Sequence, residues 1–180
     1  MCIRDSKMGP MHWGILERGT KTASGAYVLM PATIGTFSVC FGKLMHHPDT
    51  RNLPFSYLTA YGDTMCLSPG RNITTVGLYR DIQKWPKRDL RPKGSQKSIV
   101  NFDWLSPFSV GEIEKGKKIL EALRDASGED VSKYNFHEYV INGSSLKKGI
   151  KYYDIALRLS LIHISEPTRH TNASRMPSSA

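Results

Sequence analysis

The first side chains that could do chemistry are a histidine and a carboxylate near the start of the chain. His12 lies between Pro10 and Gly14, and Glu17 follows five residues later. An imidazole titrates near neutral pH, so it can remove a proton from a hydroxyl or an amine. Glu17 could orient this ring or pair with Arg18. The competing interpretation is that His12 is an ordinary turn residue.

A strongly basic segment in the middle of the chain predicts an anionic ligand. Residues 80–98 read RDIQKWPKRDLRPKGSQKS. Guanidinium and ammonium groups bind phosphate, and an indole can stack on a nucleobase. The alternative is a solvated connector with Trp85 packed on the neighbouring fold, because runs of charge usually face solvent. The residues predicted to bind substrate or phosphate are Arg18, Lys21, Arg80, Lys84, Trp85, Lys87 and Arg88.

The other candidate motifs give no metal centre and exclude several enzyme classes. His46, His47 and Asp49 are close in sequence, but adjacent residues of a strand point to opposite faces, so we expect no metal. The glycine spacings of a P-loop or a dinucleotide-binding turn are absent from the sequence. A Gly-x-Ser-x-Gly elbow is absent as well, so a hydrolase of that type is not predicted.

Composition predicts one globular domain with an anionic partner. The chain has 180 residues, of which 39% are apolar and 23% charged, and it contains no apolar run long enough for a membrane span. The N-terminus has no apolar signal core, and the three cysteines show no metal-binding spacing, so we expect a reduced, cytoplasmic compartment. The net charge of +9 suggests phosphate, nucleotide or nucleic acid as partner. Nucleic acid is the least favoured, because the basic residues are not set in a recognised nucleic-acid module.

The two ends of the chain are related at the nucleotide level. One permitted codon set for residues 1–6, read in reverse complement, translates as Leu-Ser-Leu-Ile-His-Ile, which is residues 159–164. This repeat and the residues after it resemble a transposon-end adapter used to build sequencing libraries. We therefore expect residues 1–6 and 159–180 to be adapter-derived, with 159–180 disordered, and residues 7–158 to be an internal fragment of a longer protein. In a structure, both adapter-derived ends should pack poorly or add a spurious element. The apolar residues expected to stay outside the core are Leu161, Ile162 and Ile164.

Residues 7–90 carry a six-residue period that predicts the coils of a parallel β-helix. Segments 26–30 and 37–41 are β-like, with proline and glycine between them. An inward residue at every sixth position is typical of stacked coils of three short strands. Segment 46–67 breaks the period, and we predict a loop extruded from the coils or a short pairing outside the repeat. The inward positions would be Leu16, Thr22, Val28, Ile34 and Cys40, with Val76 and Ile82 resuming the frame.

Residues 91–158 are predicted to be the rest of the basic connector followed by helices. The capping-box spacing of Ser109 and Glu112 predicts the start of one helix, which would end at Ser127-Gly128. Segment 137–141 is β-like, and a last helix would start at Ser144 or Ser145. The apolar helix faces would contain Ile113, Ile119, Leu120, Leu123, Leu146, Ile150, Tyr153 and Leu157.

Four long sequence motifs resemble those of one bacterial protein family. They are GPMHWGILERG at 9–19, NLPFSYL at 52–58, KWPKRD at 84–89 and FDWLSP at 102–107. The family they resemble is uncharacterised, and its longer chains carry a left-handed parallel β-helix of the hexapeptide acyltransferase type followed by helices. The resemblance implies a mixed β-then-α fold that begins with a partial, single-stranded β-helix.

The same resemblance implies two functional hypotheses of different classes. The leading one is a transferase acting on a sugar or sugar-nucleotide, with acyl-CoA or a nucleotide-sugar as co-substrate and His12 as the coil-corner base beside Glu17. The fragment alone is expected to be inactive. The alternative is a non-catalytic β-helix scaffold whose helices mediate assembly into a homo-oligomer, with a trimer as the implied form. RNA binding through the basic segment is a weaker alternative, and it predicts steep salt dependence.

Overall fold

The computed structural model describes residues 13–90 and 103–165, in which short strands precede most of the helices. The strands are β1 Ile15–Leu16, β2 Lys21–Thr22, β3 Tyr27–Val28, β4 Thr33–Ile34, β5 Val39–Phe41, β6 Lys43–Leu44, β7 Tyr57–Tyr61, β8 Thr64–Ser68, β9 Lys133–Phe136 and β10 Tyr139–Asn142. The helices are a 3-10 turn Arg71–Thr74, α1 Val76–Arg88, α2 Pro107–Ser127 and α3 Gly143–Ser165.

The first six strands pair in parallel, each with the strand three places away in chain order. Strand β1 pairs with β4, β2 with β5 and β3 with β6, so each partner lies three strands later. The offset is 18 residues between β1 and β4, between β2 and β5 and between β5 and β7, and it is 16 residues between β3 and β6. Parallel neighbours require the chain to return to the same edge before it pairs again. The chain therefore makes one circuit for every three strands.

Residues at one corner of these circuits share an uncommon backbone conformation. The φ angles of Gly19, Phe37 and Phe55 are 73°, 52° and 57°. Positive φ is uncommon for a residue with a Cβ, but the rings of Phe37 and Phe55 stack with their centroids 5.1 Å apart. A Cβ on Gly19 would come within 2.3 Å of the Phe37 ring, so glycine is required at the first of the three positions.

We call β1, β2 and β3 the first row of strands, and their partners β4, β5 and β6 the second row. The predicted inward positions are buried in the second row and more exposed in the first. Ile34 and Cys40 are fully buried, whereas Leu16 is 51% exposed, Thr22 is exposed and Val28 is half-buried. Strand β5 lies between β2 and β7, while β2 is the first strand of its sheet. The six-residue period therefore predicts the core correctly in the second row and not in the first.

The segment predicted to be extruded, 46–67, is packed into the fold for much of its length. Leu53, Phe55 and Leu58 are fully buried. Strands β7 and β8 form an antiparallel hairpin with a two-residue turn, where Gly62 has a φ of 59°. Because β7 also pairs with β5, the hairpin continues the sheet. The prediction of extrusion is therefore wrong for this part of the segment, and the pairing of β7 with β5 keeps the 18-residue offset of the earlier strands.

Helix α1 occupies part of the predicted basic connector. Thr75 caps its first turn with the side-chain oxygen, and the helix ends at Arg88. The rest of that connector, residues 91–102, lies outside the described residues. Val76 and Ile82 belong to this helix, and Val76 is largely exposed, so their placement in the strand frame is wrong. A six-residue step returns a residue to the same face of a strand but is not a whole number of helical turns, so the strand frame does not carry over into α1.

Helix α2 begins earlier than the capping-box spacing predicts. The Ser106 hydroxyl accepts the backbone N–H of Ser109 at 3.4 Å, and Pro107 occupies the first turn, where a missing N–H costs nothing. The helix ends as predicted, with the Gly128 N–H donating to the Arg124 carbonyl at 2.7 Å. Proline at the first helical position was the stronger start signal.

The helices α2 and α3 pack through the predicted apolar faces. Ile113, Leu120, Leu146 and Tyr153 are fully buried. The Tyr153 hydroxyl donates to the carbonyl of Pro54 at 2.8 Å, across 99 residues of sequence. The helical and strand-rich parts therefore share one core.

Two strands after α2 extend the main sheet. Strand β10 corresponds to the predicted β-like segment, whereas β9 is not predicted. The sheet order is β2-β5-β7-β8-β10-β9, with β10 parallel to β8 and antiparallel to β9. Helix α3 starts at Gly143 directly after β10, one residue before the predicted cap. A Cβ on Gly143 would lie 2.4 Å from the Val131 carbonyl, so glycine allows this close approach.

Helix α3 continues through Ser165, so residues 159–165 are helical where disorder was expected. The run contains no glycine or proline before Pro167, so no local signal ends the helix sooner. Leu161 and Ile162 are 69% and 58% exposed, as expected of residues outside the core, and the side chain of Ile164 lies outside the described part. Within 13–90 and 103–165, no helix combines the length and apolarity that a membrane crossing requires.

Candidate anion-binding surface on helix α1

Helix α1 is attached to the strands by an ion pair. The Lys21 ammonium on β2 contacts the Asp81 carboxylate, whose side chain is largely buried. Burial lowers the pKa of Lys21, and the neighbouring Arg80 guanidinium lowers it further. Lys21, a predicted phosphate ligand, is therefore placed where it positions the helix.

Arg18, another predicted phosphate ligand, also contacts protein groups. Its guanidinium donates to the hydroxyls of Ser106 and Ser109, both at 2.8 Å. The guanidinium carbon lies 5.3 Å from the centroid of the Phe37 ring. Both serines are at the start of α2, so Arg18 connects the first strand to a helix 88 residues away in sequence. The structure does not bring Arg18 together with the cations of α1.

The remaining predicted cations include three that share one face of α1. Arg80, Lys84 and Lys87 are spaced four and three residues apart, and such positions are neighbours on a helix. They border an open groove of about 440 Å³. Arg80 lies 3.6 Å from Asp81, but among the described residues no carboxylate oxygen lies within 4 Å of the Lys84 or Lys87 ammonium. The residues that line the groove are Tyr79, Arg80, Gln83, Lys84 and Lys87.

The aromatic ring of this groove is not the predicted one. Trp85 is 48% exposed and lies under the Arg88 guanidinium, with 5.9 Å between the guanidinium carbon and the ring centroid. Neither residue lines the groove. Tyr79 does, at 63% exposure, and its hydroxyl accepts a hydrogen bond of 2.8 Å from the Gln83 amide. The four-residue spacing of Tyr79 and Gln83 could have indicated that the two side chains are neighbours, but only if the segment had been predicted as a helix.

The predicted catalytic pair is only partly described. His12 lies outside the described residues. Glu17 directly follows β1, is half-buried, and donates its backbone N–H to the Ile34 carbonyl at 3.0 Å. The structure therefore gives the position of the carboxylate but no geometry for a His12–Glu17 pair.

The adjacent histidines have separate partners. The Nδ1 atom of His46 lies 3.5 Å from the Glu138 carboxylate, and Nδ1 of His47 lies 3.2 Å from the Pro31 carbonyl. In residues 13–90 and 103–165, no three His, Cys, Asp or Glu side chains are grouped in a way that could hold a metal ion.

The thiol in the core is not suited to nucleophilic chemistry. Cys40 is fully buried on β5, and burial raises its pKa to about 11. A thiol acts as a nucleophile through its thiolate, which such a pKa disfavours at neutral pH. Within the described part of the chain, the α1 groove is therefore the best candidate site among the predicted residues.

These observations define a mixed β-then-α protein with a cationic helix on its surface. Residues 5–124 match the family described as Domain of unknown function (DUF4954), and the chain belongs to that family. The expectation of an uncharacterised family is thereby confirmed. No curated protein and no solved structure gives a significant match to the chain.

Proposed function

We propose that this chain is part of a left-handed parallel β-helix protein of the hexapeptide transferase type, which binds a nucleotide-linked sugar at the α1 groove. The observation that carries the proposal is the convergence of Arg80, Lys84 and Lys87 with the Tyr79 ring on one exposed face. Guanidinium and ammonium groups suit a diphosphate, and an aromatic ring suits a base. A nucleotide-sugar has both features within one small molecule.

The strand geometry supports the fold part of this proposal. An offset of 18 residues corresponds to three hexapeptides in each circuit. The recurring positive φ at Gly19, Phe37 and Phe55 supplies one corner in each of three circuits. A crystal structure would test the handedness of the coil, and a right-handed coil would contradict the proposal.

Isothermal titration with UDP-N-acetylglucosamine tests the ligand class, with acetyl-CoA as the acyl-donor probe. We expect Lys84→Gln/Lys87→Gln to weaken binding of the nucleotide-sugar at least about tenfold, because charge-assisted contacts to phosphate are lost. The matched control is Lys43→Gln/Lys118→Gln, which removes the same charge at two exposed positions outside the groove. Equal losses in both variants, or no binding of either probe at millimolar concentration, would contradict nucleotide-sugar binding.

The same surface also allows a test against RNA binding. A phosphate-tracking surface loses affinity steeply as salt rises, because condensed counterions are released on binding. Titration of a short single-stranded RNA at two salt concentrations would reveal this behaviour. Steep dependence, together with absence of nucleotide-sugar binding, would favour RNA.

An assembly scaffold is the second candidate, and the exposed first strand row favours it. Trp13, Ile15, Leu16 and Tyr27 are all exposed large apolar residues. Clusters of this kind mark interaction surfaces. If the chain assembles with copies of itself there, Leu16→Glu will lower the mass measured by light scattering to that of a monomer. An unchanged mass would remove the scaffold explanation of this surface.

A further inference from the structure

A small pocket lies where the end of β8 meets the first turns of α3. Its volume is about 250 Å³, and it is more enclosed than the α1 groove. The side chains come from two parts of the chain that are far apart in sequence. The lining residues are Ser68, Pro69, Arg71, Ser145, Lys148 and Tyr152.

Two glycines hold the walls of this pocket close together. Gly70 has a φ of 65°, and a Cβ there would lie 3.2 Å from the Tyr152 side chain. A Cβ on Gly149 would lie 3.1 Å from Pro69. Below them, the buried Tyr153 hydroxyl is fixed by its hydrogen bond to a backbone carbonyl. The pocket is therefore formed by packed elements before any ligand arrives, which lowers the cost of ordering it on binding.

The polar lining consists of cations and hydroxyls. The Arg71 Nη1 atom lies 3.4 Å from the Tyr152 hydroxyl, which holds the guanidinium beside the pocket. Neither Arg71 nor Lys148 has a carboxylate oxygen within 4 Å among residues 13–90 and 103–165. Ser68 and Ser145 add hydroxyl donors. Two cations without internal counter-charges, together with hydroxyl donors, match the charge and the oxygen atoms of a phosphate group.

We propose that this pocket binds the phosphate group of a small phosphate monoester, such as a sugar phosphate. Arg71 and Lys148 neutralise the dianion, while Ser68 and Ser145 donate hydrogen bonds to its oxygens. Pockets for drug-sized ligands usually exceed about 300 Å³, so this one suits a ligand smaller than a nucleotide-sugar. A carboxylate offers one charge and two oxygens, and it satisfies fewer of the donors. The proposal does not depend on binding at the α1 groove.

Titration of the full chain with inorganic phosphate and with glucose 6-phosphate tests this proposal. Affinities come from calorimetry, and amide chemical shifts in ¹H–¹⁵N NMR spectra locate the site. We expect both probes to bind, and the largest shifts to fall at 68–74 and 145–152. Acetate is the comparison for a monoanion, and we expect it to bind at least about tenfold more weakly, because it forms fewer charge-assisted bonds.

Single substitutions separate a specific pocket from general positive charge. We expect Arg71→Gln and Lys148→Gln each to weaken phosphate binding at least about tenfold, since each removes a charged donor. Lys151→Gln removes one charge from an exposed position of the same helix outside the pocket, and it should change the affinity less than about twofold. Lys84→Gln/Lys87→Gln should also have no effect, which distinguishes this pocket from the α1 groove.

Three results would overturn the proposal. They are no phosphate binding at 10 mM, shifts confined to residues outside 68–74 and 145–152, and equal weakening by Lys148→Gln and Lys151→Gln. Thermal melts of each variant show whether it remains folded. All three substituted side chains are exposed, so we expect unchanged melts, and Arg71→Lys provides a milder variant that keeps the charge.

Discussion

The first and second rows of strands pair in parallel, strand for strand, but differ in burial. Strands β1, β2 and β3 pair with β4, β5 and β6 at matching positions. Leu16 is half-exposed, whereas Ile34, its equivalent one circuit later, is fully buried. The repeat determines which side chain faces inward. Burial also depends on what packs against the row, and the second row is the better covered of the two.

This difference should be measurable as stability. Burying an aliphatic side chain completely contributes about 1.5–3 kcal/mol relative to leaving it exposed. The second row obtains this contribution from Ile34 and Leu44, both fully buried. The first row obtains only a part of it from Leu16 and Val28. Substitutions at equivalent positions of the two rows therefore compare the same chemistry in two environments.

The largest difference is expected for aliphatic truncation. Ile34→Ala should lower the free energy of unfolding by about 3 kcal/mol, because it removes buried methyl groups and leaves a cavity. Leu16→Ala should lower it by less than about 1 kcal/mol, because the side chain is already half in water. Urea unfolding followed by circular dichroism measures both. Equal losses would show that the two rows are buried alike in solution.

A smaller difference is expected for glycines of the two rows. A Cβ on Gly35 would lie 2.4 Å from the Thr50 carbonyl, which is backbone and cannot rotate away. We expect Gly35→Ala to cost about 2–3 kcal/mol through this overpacking. Gly25, in the first row, has open space around it, and Gly25→Ala should cost only about 1 kcal/mol from its φ of 73°. Similar losses at both positions would contradict the packing difference.

Arg18 tests how the first row is attached to the helices. Arg18→Ala removes two hydrogen bonds to buried serine hydroxyls and should cost about 1–2 kcal/mol. Arg51→Ala is the control, at an exposed position. Hydrogen exchange at the first turn of α2 should increase in Arg18→Ala and stay unchanged in the control. Unchanged exchange in both variants would show that this connection does not stabilise α2.

The smallest expected effect concerns the reactivity of Cys40, with little change in stability. At pH 8, raising the thiol pKa from 9.0 to about 11 lowers the thiolate fraction roughly a hundredfold. In a chain with Cys2→Ser and Cys66→Ser, iodoacetamide should label Cys40 at least about a hundredfold more slowly in the folded state than in urea. Mass spectrometry measures the rates. Equal rates would show that this strand is open to solvent.

The pH dependence of Cys40 follows from the same shift. The folded state holds the thiol proton more tightly than the unfolded state does. Its contribution to stability is therefore complete below pH 9 and is lost as the pH rises towards 11. Comparison of Cys40→Ala with the parent chain over this range isolates the effect.

Local sequence patterns predicted the buried faces of α2 and α3 and part of the buried strand residues. Ile113, Leu120 and Tyr153 were predicted from helical spacing, and all three are buried. Strand β9 was not predicted, because its pairing with β10 depends on the sheet that β10 joins. Short strands depend on their neighbours more than on their own residues, so local patterns describe them poorly.

The candidate sites also differ in how far the sequence could predict them. Arg80, Lys84 and Lys87 are close in sequence, and their clustering was visible at once. Arg71 and Lys148 belong to segments that meet only in the folded chain, so neither was predicted. Arg18 and Lys21 have internal partners, Ser106 and Asp81, which also come from distant segments, so these contacts could not be predicted from the sequence.

Strand β8 pairs with a strand that lies beyond the end of the family match. The match ends at residue 124, within α2, whereas β8 lies between β7 and β10 in the main sheet. A chain truncated after residue 124 would lose β10 and leave one edge of β8 with unpaired backbone groups. Exposed edges of this kind template edge-to-edge association between molecules. We therefore expect the truncated protein to aggregate.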